Sequence, residues 1–210
     1  MKKTQTKKER KGFTERHRKI LKAAGELFAE RGTREVTIDE IAEKAGVSKG
    51  TIYRRIGKKD KLIKTLLEEA AKFFHQTFTS AIQKQKDPIK QFKEVVDAMC
   101  DIYEKHFVSA KLITLHSPQS HKSPSFYERH KHKGPTKKSI VLVQNLFKKA
   151  IKQNLIKDID VQILTEVLRN IFSPHVYQFL RFEKGLTRGE ITHFITDTFL
   201  NGILIKQKRK

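Results

Sequence analysis

Two helix caps eleven residues apart constrain this chain more than any other feature. Thr37-Ile38-Asp39-Glu40 has the form of a capping box, in which the threonine hydroxyl accepts from the Glu40 amide and the Glu40 carboxylate reaches back to the cap. Val36 before the cap and Ile41 after it form a hydrophobic staple. The helix so started runs to about Lys44 and stops near Gly46, a residue that accepts a left-handed terminus without steric cost. Ser48 then caps a second short helix, and Val47 with Ile52 repeats the staple. Two short helices joined by Ala45-Gly46-Val47-Ser48 make a helix-turn-helix.

The second helix has two unlike faces. At 100° per residue, Ile52 and Ile56 share the side that packs inward. Gly50 and Arg54 point the opposite way, with Thr51 and Tyr53 on the flanks. Such a face suits a DNA major groove. Glycine permits close approach, Arg donates two bonds to guanine, Thr bonds a base or touches a thymine methyl, and Tyr donates to phosphate. Lys49 stands at the start of this helix, near either backbone or base edges. The amides at Thr37–Glu40 and after Ser48 are placed to receive phosphate oxygens. Lys58 and Lys59 open the following helix, where lysine opposes the macrodipole unless a phosphate lies nearby. A capped pair with a solvated basic face is the plainer reading of the same residues.

Elsewhere the apolar spacing is helical throughout. Helices are predicted over 14–31, 59–85, 87–106, 108–115, 136–154, 160–183 and 187–206. Asp87-Pro88 starts one of them, and Ser173-Pro174 breaks another because proline lacks an amide donor and clashes with the preceding turn. Residues 116–136 carry three X-Pro steps and read as a loop. No run alternates with period two, so the fold class is all-α. The expected division is a disordered basic arm over 1–12, a helix-turn-helix domain over 13–60, and a larger helical domain over 61–210.

Charge narrows the partners. Lys and Arg number 45 against 23 acidic residues, a net of +22, which attracts polyanions. Residues 1–60 hold 18 basic and 9 acidic residues, a higher density of positive charge than the remainder, which is basic as well. The arm, with Lys2, Lys3, Lys7, Lys8, Arg10 and Lys11, is placed to add backbone or minor-groove contacts, or is simply solvated. A single cysteine, Cys100, excludes an intrachain disulfide and a cysteine-rich zinc site. No apolar run reaches membrane-spanning length, and the basic N-terminus lacks the apolar core of a secretory signal, so no membrane partner and a cytoplasmic location are expected. His116, His121, His130 and His132 fall in or beside the loop without a carboxylate or thiolate at tight spacing, so no metal is expected. No nucleophile elbow, phosphate loop, zinc-protease helix or dinucleotide turn is present, so neither an enzyme nor a cofactor is expected.

Residues 14–62 resemble the N-terminal domain of the TetR family of bacterial transcriptional regulators. The stretch Thr37-Ile38-Asp39-Glu40-Ile41-Ala42-Glu43-Lys44-Ala45-Gly46-Val47-Ser48-Lys49-Gly50-Thr51-Ile52-Tyr53, followed by Lys59-Asp60-Lys61-Leu62, carries the resemblance. It implies an N-terminal three-helix DNA-binding domain and a C-terminal helical domain for ligand binding and dimerisation. It implies DNA contact by Thr37, Lys49, Thr51, Tyr53 and Lys59, close backbone approach at Gly50, and a part for Arg54 in sequence preference. With the helix caps and Lys58, the expected DNA-binding set is Thr37, Ser48, Lys49, Gly50, Thr51, Tyr53, Arg54, Lys58 and Lys59. Ile56 and Lys58 depart from the family pattern, which has Phe and a capping residue there.

The resemblance further implies a ligand-responsive homodimer, acting as a repressor on a palindromic DNA operator, nucleoid-associated in the cytoplasm and released by a small-molecule effector. Val161, Leu164, Leu168 and Ile171, with Ile191, Phe194, Ile195, Phe199 and Gly202, are the expected dimer seams on the two C-terminal helices. The effector is expected between the middle helices. Phe73, Phe78, Phe92, Phe107, Phe126, Phe147, Phe172 and Phe179 are available there, but each is equally a core residue, and none is assigned to a ligand. The positive charge points to an anionic or amphipathic effector, such as a fatty acyl thioester. A nucleoid-associated structural or cell-division regulator of the same fold is the alternative.

Overall fold

The computed structural model describes residues 7–115 and 137–204, with side chains over 15–111 and 137–204. The expected loop with its four histidines and Phe126 lies outside the described residues. The regular elements among the described residues are helices, with one isolated antiparallel bridge, Ile156 to Leu204. The chain divides into two compact units, Met1–Glu69 and Ala70–Lys210. The first unit includes wholly buried Leu62.

The first unit begins with α1, Lys7–Arg31. Residues 7–12, read from the sequence as part of a disordered arm, are therefore in helix. Lys, Glu and Arg are strong helix formers, so this run propagates a helix without an apolar face of its own. Ile20, Leu21, Ala24 and Phe28 form the buried side, and Gly32, at φ +82°, ends the helix. The next helices are α2, Ile38–Ala45, and α3, Lys49–Arg55, followed by α4, Lys59–Gln83. Lys58 contributes its carbonyl to the start of α4, accepting from the amides of Lys61 and Leu62.

The second unit contains the end of α4 and six further helices: α5 Pro88–Lys105, α6 Phe107–Leu115, α7 Lys137–Lys152, α8 Val161–Ile171, α9 Pro174–Gln178 and α10 Arg188–Ile203. A single π turn, Phe179–Glu183, continues α9. Asp87 caps α5 through the Lys90 amide at 2.9 Å, with Pro88 at the first helical position.

Phe92, Phe147 and Phe199 stack in the core with centroids 5.3–5.9 Å apart. Phe78 and Phe172 are buried too, so four of the eight phenylalanines available for a ligand are core residues. Cys100 is wholly buried, and burial pushes its thiol up to about 11, which keeps it unreactive near neutrality.

Two polar devices organise this unit. The α8–α9 break leaves a carbonyl to satisfy, because the Ser173 hydroxyl takes the Val176 amide that would otherwise pair with Phe172. The Tyr103 hydroxyl donates to that carbonyl at 2.8 Å inside the core. At the start of α10, Arg188 forks across Asp97 and Asp101 of α5, with donor distances of 2.6 Å to each carboxylate. This clamp crosses 91 residues of sequence to hold α10 against α5. Tyr103→Phe leaves the buried Phe172 carbonyl unpaired. It is expected to lower stability by about 1–3 kcal/mol in urea unfolding followed by far-ultraviolet circular dichroism.

Candidate nucleic-acid interface

The capping box forms as the sequence prescribes. The Thr37 amide donates to Glu40 Oε2 at 2.7 Å and the Glu40 amide donates to Thr37 Oγ1 at 3.3 Å. Glu40 does more than close the box. Its other oxygen accepts from Arg31 Nη1 at 2.7 Å, so one carboxylate ties the end of α1 to the start of α2. The Thr37 amide first, then Arg31 and the Thr37 hydroxyl, hold the Glu40 carboxyl down at about 2. Nothing in the local pattern announces Arg31 as this partner; the pairing exists only after α1 and α2 pack.

Gly46, at φ +64°, ends α2 in the left-handed conformation, and the Gly46 and Val47 amides return to the Glu43 and Ala42 carbonyls. The chain then reverses into α3, where the Ser48 hydroxyl accepts from the Thr51 amide at 3.2 Å. Ile52 is wholly buried and Ile56 is 3% exposed, while Tyr53 is 46% exposed and Gly50 and Arg54 also face solvent. Thr51 is half-buried at the edge of that face. The two-faced character expected of this helix is thus present.

The expected contact residues fall into distinct local roles. Thr37, Ser48, Lys49 and Lys58 are exposed, and Lys59 is half-buried. Ser48 is first a cap, and its hydroxyl also shares a hydrogen bond with the Thr51 hydroxyl at 2.9 Å. The box occupies the Thr37 and Glu40 amides, so of that run only Ile38 and Asp39 are left over by it. Lys59 Nζ donates to the Arg34 carbonyl at 3.3 Å, bracing the turn that precedes α2. Arg54 Nε donates to the Gly50 carbonyl at 3.2 Å, which lays the guanidinium back along α3. Lys49 Nζ lies 2.7 Å from Asp39 Oδ2. Sequence reasoning did not single out Asp39; a carboxylate ten residues before a lysine carries no signal until the turn brings the two helix starts together.

The geometry is that of a helix-turn-helix with an open polar face. Residues 20–66 match the family model described as bacterial regulatory proteins, tetR family. The chain is similar to the HTH-type transcriptional regulator HbdR of Aromatoleum sp. (strain CIB), with 32% identity over 90 residues, 43% of this chain and 39% of HbdR. It is similar also to the HTH-type transcriptional repressor KstR2 of Mycobacterium tuberculosis (strain ATCC 25618 / H37Rv), with 25% identity over 91 residues, 43% of this chain and 46% of KstR2. These matches span less than half the length of the curated relatives.

The whole fold is shared more widely. The solved structure of KstR2 superposes with a TM-score of 0.70 over 91% of this chain and 96% of that one, at 19% identity. AibR in complex with isovaleryl coenzyme A and operator DNA superposes with a TM-score of 0.69, covering 87% of this chain and 97% of that one, also at 19% identity.

The depressed Glu40 carboxyl makes a prediction about acid. A carboxyl lowered in the folded state, from an ordinary 4.5 to about 2, contributes stability that is complete above about 4.5 and disappears as pH falls toward 2. The melting temperature of the intact chain is expected to drop between pH 5 and pH 2.5, and Glu40→Gln, less stable at pH 7, is expected to show a shallower drop in the same calorimetric series.

Proposed function

We propose that this protein is a ligand-responsive homodimeric transcriptional regulator, acting as a repressor, that binds an imperfectly palindromic operator through α3. The observation that carries the reading is the orientation of α3: its isoleucines are buried while Gly50, Tyr53 and Arg54 are presented outward, with Thr51 at the edge. In this reading Arg54, Thr51 and Lys49 meet base edges. Tyr53, Thr37, Lys58 and Lys59 meet phosphates, and Gly50 lets the backbone come close. Ser48 keeps α3 started at the correct residue.

Two copies are needed to present two such helices to successive major grooves. In this reading the copies meet through only part of the seam that periodicity suggested. Leu164, Leu168, Ile191, Ile195 and Phe199, expected at the seam, are buried within the chain itself. They recur at helical spacing because they face the chain's own core. Gly202 is exposed, and a side chain added there would meet nothing within 4 Å. The apolar residues that α8 leaves to solvent are Ile163, Val167 and Ile171, every fourth residue and 58%, 43% and 37% exposed; α10 leaves Phe194 at 50%. A stripe of this kind on the solvent-facing side of the helix suits an isologous contact with a second copy.

Release follows if an effector binds better to the state whose two recognition helices are out of step with the groove spacing, since only differential affinity shifts such an equilibrium. An anionic, amphipathic effector such as an acyl thioester agrees with the chain's charge, and the name of the AibR complex places isovaleryl coenzyme A with a protein of this fold.

Thr51→Ala and Tyr53→Ala are each expected to weaken binding to a duplex selected from a random-sequence pool by tenfold or more, order of magnitude, with an unchanged melting curve. Normal binding by both variants excludes this face. Genome-wide occupancy at one or a few promoters, with transcription rising in a deletion strain, supports repression; dozens of dispersed sites point to the nucleoid-associated alternative. For the dimer, Val167→Glu is expected to sediment as a monomer at concentrations where the wild-type chain is a dimer.

A further inference from the structure

We propose that Asp39 is a specificity-determining residue: it holds the Lys49 ammonium for base-edge contact and withholds it from phosphate. The inference rests on the reading of the α3 face as a DNA-binding surface.

Asp39 lies in the first turn of α2 and Lys49 is the first residue of α3, so the 2.7 Å pair bridges the starts of both helices. The side chains are 66% and 50% exposed, on the same open surface as Gly50 and Tyr53. Folding gives this pair little reason to exist, because exposed ion pairs contribute little to stability. The pairs Arg31 with Glu40 and Lys44 with Glu26 link α1 to α2, whereas Asp39 with Lys49 joins α2 to α3 across the open surface. Lys49 and Asp39 instead set a cation and an anion side by side where a polyanion is expected to dock.

The consequence follows from how DNA binding is driven. Binding without sequence preference is mainly counterion release, and each phosphate neutralised by a cation adds about 0.9 to the salt slope. A lysine already neutralised by a carboxylate contributes nothing to that term, and Asp39 itself repels a nearby phosphate. The ammonium nevertheless has three N–H donors. One is spent on Asp39, which fixes the direction of the side chain at the start of α3. The others remain for paired acceptors such as guanine O6 and N7, an arrangement that a lysine can satisfy with its ion pair intact. The correct base is thus rewarded, and random phosphate is not.

The test compares two duplexes, one enriched by the wild-type protein from a random-sequence pool and one shuffled to the same composition, over a series of salt concentrations. Asp39→Asn keeps the shape and removes the charge. On the shuffled duplex it is expected to bind about three- to tenfold tighter at low salt, with a log–log salt slope steeper by about one. On the enriched duplex the gain is smaller or absent, so the specificity ratio falls by several-fold to about tenfold. Adding Lys49→Met to Asp39→Asn is expected to restore the wild-type slope, which a role for Asp39 at the α2 terminus alone would not produce. Asp39→Ser repeats the measurement in a second background, with melting curves for every variant.

An unchanged ratio and slope, or equal shifts on both duplexes, overturn the inference. If Thr51→Ala still loses binding in that case, the DNA-binding reading survives and only the role of the pair fails. If no duplex is enriched from the pool, both fail.

Discussion

One carboxylate, Glu40, anchors the N-terminal unit. It closes the cap of α2 on one side and receives Arg31 of α1 on the other. A cap alone would start α2 and leave its direction open. A salt bridge alone would leave the first amides unpaired. With both on one residue, the start of α2 and its attachment to α1 are specified together, and everything downstream, from the left-handed Gly46 to the burial of Ile52, is built on that starting point. The stability of the site and its polarity come from the same chemistry, since the group that organises the helices is an anion in a strongly cationic region.

The second unit uses a different economy. Its core is aromatic and aliphatic, but polar groups decide where its elements end. Proline at 174 breaks the helix, Ser173 restarts it, and Tyr103 reaches from α5 to pair with the carbonyl left over at Phe172. Arg188 fastens the start of α10 to α5 in the same manner, with two carboxylates receiving one guanidinium. Each is a local break in regular structure answered by a side chain from far along the sequence.

Much of this was legible beforehand. The capping box, the glycine stop, the serine cap and the inward isoleucines follow from hydrogen-bond valence and a 100° repeat, so they could be placed residue by residue. Asp87-Pro88 and Ser173-Pro174 were readable for the same reason: proline acts on its own neighbours. Of the residues expected at a seam on α8 and α10, Leu164, Leu168, Ile191, Ile195 and Phe199 are buried in their own chain while Ile171 and Phe194 are exposed, because periodicity reports that a stripe is buried and not what buries it. Leu164 and Leu168 are buried in their own chain, and the neighbouring Ile163 and Val167 stay exposed. The start of α1 was misjudged because a charged run can be helical without an apolar face. Asp39 and Arg31 went unnoticed as partners because their pairings cross a turn.

Sequence alone therefore determined the helices of the helix-turn-helix, their ends, and the side that α3 keeps dry, because these depend on contacts within a few residues and on steric limits of single amino acids. Tertiary structure alone decided which charges meet, which carbonyl each hydroxyl answers, and which apolar residues remain uncovered. Those outcomes depend on distances between elements, and no spacing along the chain encodes a distance until the elements have packed.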